Sequence, residues 1–351
     1  VPHLYNLSVN PYPTGLPNVV GAKSFTTQQL TLSDRYFGVG IYQYPAGFYE
    51  SIVYYRPGWM ALASDTAAAR AYLAGAYDRS ANLTYAIDGS NSTSYLATVT
   101  GYSKTSNSWT ALASDTTART VLAAAYDSSA NLTYAIDGYN GTSYFTTVTG
   151  YSKASNSWTA LASDTTARAY FAGAYDSSAN LTYAIDGYNG TSYLATVTAY
   201  SKASNSWTAL ASDTWSRANL AAAHDSSANL TYAIDGYDGT SYQDHNMAYS
   251  YASNSWTAQA GDPVSRDVLA AAYDYYGGMT YAIDGYDGVN FLPTVTAYSK
   301  TTNSWTELVG DTTARDGLAA VYDFWGTVYG MIYAIDGYNG SFTSTVTGLI
   351  Y

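Results

Sequence analysis

Arginine and aspartate recur in a fixed pattern along this chain, and they are the first residues able to do chemistry. Each set holds two acids and a base. Asp115, Arg119 and Asp137 form one set, and the pairs Arg168 with Asp186 and Arg217 with Asp235 follow it. If the intervening residues form an antiparallel strand pair, the arginine opening one strand lies beside the aspartate ending the other. Ion pairs Arg119–Asp137, Arg168–Asp186 and Arg217–Asp235 are therefore expected, tying neighbouring loops together. A rim of carboxylates could also supply the acid and base of glycoside cleavage, but the sequence singles out no pair.

The loops after these aspartates read DGYNG or DGYDG, and they are the expected place for binding. Their candidates are Asp137, Tyr139, Asn140, Asp186, Tyr188, Asn189, Asp235, Tyr237 and Asp238. Carboxylates around a glycine turn offer hard oxygens to calcium, yet Asp235 and Asp238 give fewer acids than a calcium loop uses. Asp-Gly and Asn-Gly are also favoured turn pairs in their own right. No cofactor is expected beyond that weak calcium signal.

One unit breaks the pattern. Gln243, Asp244, His245, Asn246 and Met247 stand where others read LATVT, and His224 stands where others have tyrosine. A strand between the two histidines would hold them roughly 17–20 Å apart, too far to share an ion. A local contact patch around Asp244 and His245 is the reading these residues allow. No G-x-S-x-G elbow, Walker loop or H-E-x-x-H is present.

The elements that must position these residues are repeats. The aspartate of AIDG falls at 88, 137, 186, 235, 284 and 336, four intervals of 49 and one of 52. The tryptophan of NSW falls at 109, 158, 207, 256 and 305, with Trp59 another 50 before the first. Arginines 70, 119, 168, 217, 266 and 315 keep the same period of 49. Three markers sharing one period of this length indicate a propeller or similar array. Within a unit, RTVLAAAYD, NLTYAIDG, TSYFTTVTGY and SWTALA read as four short strands separated by Ser, Asn, Asp and Gly turns.

The runs R-x-x-L-A-A-A-Y-D, L-T-Y-A-I-D-G and V-T-x-Y-S-K-x-S-N-S-W resemble the kelch repeat over residues 57–351, with Asp-Gly where that family has a Gly-Gly doublet. The resemblance implies an all-β propeller of four-stranded antiparallel blades, and no chemistry. Kelch-type propellers include copper radical oxidases, whose tyrosine–cysteine cross-link this cysteine-free chain cannot make. Seven blades are expected: residues 22–64 as a diverged first blade, 70–351 as six repeats, and LYNLSV within residues 1–20 closing the last. The alternative is six blades closed by WMALAS near Trp59, with an N-terminal arm.

Composition bounds the setting. Charged residues are 11% of 351, against roughly 25% in ordinary domains, while tyrosine numbers 40. Such a surface is similar to those of secreted and cell-envelope proteins, of acid-living archaea in particular. The net charge of −12 argues against nucleic acid as partner, and no apolar run is long enough for a membrane-spanning helix. Sequons at Asn6, Asn82, Asn91, Asn131, Asn140, Asn180, Asn189, Asn229 and Asn339 are candidate glycosylation sites. The expected role is a secreted or cell-surface, non-catalytic propeller binding a glycan, an envelope polymer or a protein. The alternatives are a carbohydrate-active enzyme using the central funnel, and a subunit of an extracellular assembly.

Overall fold

The computed structural model describes residues 36–43, 49–55, 58–66, 69–323 and 330–350. The chain divides into two units, Val1–Tyr54 and Tyr55–Tyr351. In the first, strands Tyr36–Gln43 and Tyr49–Tyr55 form a two-stranded sheet.

The second unit is a ring of six four-stranded antiparallel sheets. Blade 2 is typical: Ala123–Asp127, Leu132–Ile136, Val148–Ser152 and Ser157–Ala160, from the axis outward. The innermost strands start at Ala74, Ala123, Ala172, Ala221, Ala270 and Ala319, and each touches its neighbours around a closed circle. Their burial alternates with a period of two, so alternate Ala and Gly positions face the axis and the others pack between blades. Small residues are needed because six strands converge there.

The core lies between blades. One cluster joins Tyr85, Ile87 and Val99 of blade 1 to Leu122, Ala135 and Tyr151 of blade 2. Tyr85 meets Tyr151 edge-on at 5.5 Å and its hydroxyl donates to Asp78 Oδ2 at 2.8 Å, so a fully buried ring keeps its polar atom satisfied. The NSW tryptophans latch blades together: Trp158 Nε1 donates to Ala113 O at 2.8 Å, and Asn156 Oδ1 accepts from Ala113 N.

The blade count is six, not seven. Gly58–Ala61 is the outer strand of the last blade, with Thr347 paired to Ala61 and Leu349 to Trp59. Trp59 Nε1 donates to Val309 O at 3.1 Å, the same latch that the other tryptophans make. The physical reason was in the local pattern: GWMALAS copies SWTALAS, an outer strand. An outer strand at the N-terminal side of the ring pairs with the third strand that lacks a partner, Phe342–Ile350. Of the blade expected over residues 22–64, Gly58–Ala61 belongs to the last blade and Tyr49–Tyr55 pairs with Tyr36–Gln43 in a two-stranded sheet, while residues 22–35 lie outside the described residues. LYNLSV lies outside the described residues, and the place expected for it is filled.

Candidate functional site

The repeated arginines are fully buried. Arg119 Nε meets Asp88 Oδ2 at 3.3 Å and Nη2 meets Asp115 Oδ2 at 2.5 Å. Nη1 donates to Asp137 O and Thr147 O, and Nη2 also to Thr149 Oγ1 and Ala135 O. The expected pair Arg119–Asp137 is thus corrected: the side-chain partner is the aspartate of the preceding blade. Arg168 pairs with Asp137, Arg217 with Asp186, Arg266 with Asp235, Arg315 with Asp284, and Arg70 closes the circle on Asp336. The reason is local backbone geometry. Asp137 has φ 52° and Gly138 φ 103°, a left-handed corner that carries the carboxylate across the blade boundary. Aspartate tolerates that conformation better than most residues, and its carboxyl reaches the next arginine, with Asp137 Oδ2 3.7 Å from Arg168 Nε. This accounts for Asp-Gly where a Gly-Gly doublet was the comparison.

Asp137, Asp186 and Asp235 are 0% exposed, so they are structural and are removed from the expected binding loop. Burial, with a second carboxylate alongside, pushes Asp88, Asp137, Asp186, Asp235, Asp284 and Asp336 well above the ordinary carboxyl range, against the pull of the arginines. Each arginine thus lies between two carboxyl groups, one from its own connector and one from the preceding blade.

Main-chain hydrogen bonds ring the axis on the DGYNG side. Val121 N donates to Tyr72 O, Tyr170 N to Val121 O, Asn219 N to Tyr170 O, Val268 N to Asn219 O, Gly317 N to Val268 O, and Tyr72 N to Gly317 O. This six-membered hydrogen-bonded circle holds five non-glycine residues at positive φ, between 51° and 58°. Left-handed backbone at Val121 and Val268 is strained. Beneath it, the channel contains a cavity of about 120 Å³ lined by Leu, Phe, Ala and Gly from the six inner strands, such as Leu122, Ala124, Phe171 and Gly173.

Around that mouth runs an arc of aromatic side chains. Tyr139 packs on Tyr144 at 4.8 Å, Tyr188 on Tyr193 at 5.1 Å and Tyr237 on Tyr242 at 5.1 Å. Between blades the steps are 5.9 Å from Tyr144 to Tyr188 and 6.0 Å from Tyr193 to Tyr237. Tyr95 begins the arc, which continues through Tyr286, Phe291 and Tyr338 to Phe342. Blade 1 has Ser90 in the tyrosine column. The loop glycines allow this packing: Gly141 has φ 93°, and a Cβ there would lie 2.7 Å from the Tyr95 ring. Of the expected binding residues, Tyr139, Tyr188 and Tyr237 belong to the arc. Asn140, Asn189 and Asp238 shape the loops: Asp238 Oδ1 accepts from Thr240 N and Ser241 N, as Asn140 Oδ1 does from Thr142 N and Ser143 N. No group of three or more His, Cys, Asp or Glu placed to hold a metal occurs among the described residues.

Two acids at the mouth escaped the sequence reading. The residue after each arginine is Ala71, Thr120, Ala169 or Ala218 in four blades, but Asp267 and Asp316 in the last two. Both are 6% exposed, and their Oδ1 atoms have no hydrogen-bond partner. Asn219 Nδ2 donates to Asp267 Oδ2 at 2.9 Å. Burial raises Asp267 to about 6, and burial with the nearby Asp267 charge raises Asp316 to about 7. The signal was a column substitution, visible only when units are compared position by position.

The fourth blade is the other departure. His224 is buried in the tyrosine position, with Nδ1 3.0 Å from Thr231 Oγ1 and Nε2 3.4 Å from Asp176 Oδ1 of the preceding blade. Burial lowers its pKa. Its row on the third strand is that of Tyr249, four residues from His245, so the two histidines do not meet. His245 instead stacks on Trp215 with centroids 4.0 Å apart and 24° between planes. Asp244 Oδ1 is 3.5 Å from His245 Nδ1, and Gln243 Nε2 donates to Asp238 Oδ2.

Of the sequon asparagines, Asn6 lies outside the described residues. Asn131 Oδ1 accepts from Tyr126 OH, and Asn82 and Asn180 accept likewise.

No family model matches the chain, and no curated protein matches it in sequence. Among solved structures, that of YjhT is similar with a TM-score of 0.66, covering 82% of this chain and 96% of that one at 14% identity. The second unit has a β-propeller fold. At this identity the likeness extends to the fold alone.

Proposed function

We propose that this chain is a non-catalytic, kelch-type binding propeller of the cell surface or extracellular space, and that it binds glycan on the DGYNG face. The aromatic arc carries the reading. Half-buried rings, two to a blade in blades 2 to 6, form a stiff apolar track, and their packing has already removed the entropy that ligand binding would otherwise cost. Pyranose C–H faces stack on such rings while neighbouring hydroxyls and amides take their hydroxyls. The lining of the axial channel supports a non-catalytic role, since acid–base work needs titratable groups there. The Tyr-, Ser- and Thr-rich composition supports an extracellular setting with occupied sequons.

An oligosaccharide array read with purified wild type and Tyr188→Ala tests the proposal. Binding lost in the variant supports it. Absence of any glycan bound by wild type overturns it. Intact mass of the native protein tests the sequons, and a bare polypeptide mass removes the glycoprotein part.

One observation favours the enzymatic alternative. Asp267 and Asp316 are unique acids at one mouth, raised toward neutrality, as a general acid must be. Turnover of a polysaccharide that disappears in Asp316→Ala would replace the binding reading.

A further inference from the structure

Blade 4 differs from the others at two positions that are far apart in sequence and touch in space. Trp215 stands where blades 2, 3, 5 and 6 have Thr117, Thr166, Val264 and Thr313. His245 stands where the others have Thr98, Thr147, Thr196, Thr294 and Thr345. The two replacements occur in one blade and stack on each other. The structural duty of the column survives in the main chain, because His245 O still accepts from Arg217 Nη1 at 3.0 Å, as Thr147 O does from Arg119. The side chains are thereby free for another use.

Their environment fits a sugar better than a scaffold. Trp215 is 42% exposed. The tryptophans of the outer strands each donate Nε1 to a main-chain carbonyl, whereas Trp215 Nε1 donates to no acceptor seen among the described residues. An exposed indole with an uncommitted N–H, backed by an imidazole, offers a platform and a donor. The Asp244 side chain is 54% exposed and provides an acceptor beside it. His245 stands three residues along the strand from Tyr242 of the arc, about 10 Å away.

We propose that Trp215, His245 and Asp244 form the specificity-determining subsite of the glycan-binding face, for a neutral or amine-bearing pyranose. The inference rests on the glycan-binding reading above. Charge sets the ligand class. Arg217 is the sole lysine or arginine between residues 213 and 262, and it is buried and paired to Asp186 and Asp213. Within that segment no other lysine or arginine is present to receive a uronate, burial and Arg217 lower the pKa of His245, and Asp238 and Asp244 repel an anion.

The test is calorimetric titration at pH 7 with three probes: a neutral β-1,4-glucan hexasaccharide, a chitosan hexasaccharide and an oligogalacturonate hexasaccharide. The proteins are wild type, Trp215→Thr, His245→Thr and Tyr188→Ala. The two threonine variants restore the residue other blades carry, so the fold is retained. Wild type is expected to bind the glucan or chitosan hexamer with a change in indole fluorescence. Trp215→Thr should weaken that binding about tenfold or more and abolish the fluorescence change, and His245→Thr should weaken it less. Unchanged affinity in Trp215→Thr, with binding lost in Tyr188→Ala, overturns the subsite while leaving the arc intact. Preference for oligogalacturonate overturns the ligand class. Failure of all three probes to bind wild type overturns both the subsite and the reading beneath it.

Discussion

Replacing Asp316 by alanine should make the propeller more stable in neutral and alkaline solution and leave it unchanged in acid. Asp316 is 6% exposed and its Oδ1 has no partner. Three blades already carry alanine in that column, at Ala71, Ala169 and Ala218, so the change is compatible with the packing. Burial and the Asp267 charge raise its pKa from 3.8 to about 7. Between those values the native state keeps a proton that the unfolded chain has released. Stability is therefore fully present below about pH 4 and is lost as pH rises through 7. About three pKa units at 1.36 kcal/mol each correspond to about 4 kcal/mol. Urea unfolding at pH 4, 6 and 8 reads this directly. The variant should match wild type at pH 4 and exceed it at pH 8 by up to about 4 kcal/mol. Parallel stability curves for the two proteins would show that the carboxyl titrates normally, and the argument from burial would be wrong.

Further outcomes follow from the ring. Asp88→Asn should cost under about 1.5 kcal/mol, because the amide keeps an oxygen acceptor for Arg119 Nε at a site where burial disfavours the charged carboxylate. Arg119→Met should cost about 3–5 kcal/mol by stranding buried acids, and equal losses in a denaturant titration would contradict that ranking. Gly317→Ala should destabilise by about 1–3 kcal/mol, since φ is 58° and a Cβ would lie 2.8 Å from the Tyr72 ring; an unchanged melting temperature would remove the mouth from the stabilising elements. Removing residues 1–56 should leave a monomeric propeller, whereas removing residues 1–62 takes away the closing strand and exposes the edge of Phe342–Ile350. Light scattering distinguishes monomer from oligomer, and a monomeric, equally stable 1–62 deletion would refute closure by Gly58–Ala61.

Local pattern and period determined the blade by themselves. The four runs of each unit, their turns and their register with the NSW and AIDG markers are short-range consequences of alternation and turn chemistry, and they appear in the structure where the residues place them. The tyrosines of the DGYNG loops were also legible, because Tyr139, Tyr188 and Tyr237 repeat in an exposed turn. Tertiary structure decided which strand closes the ring: GWMALAS is legible as an outer strand from its likeness to SWTALAS, but its pairing with a strand almost three hundred residues later is set by tertiary contacts. It likewise decided that each arginine reaches back to Asp88, Asp137 or Asp186 of the preceding blade, because a left-handed corner turns the carboxylate across the boundary. And it brought Trp215 onto His245: each looked like an isolated irregularity in the repeat, and only the packing of a connector against the third strand of its blade made them neighbours.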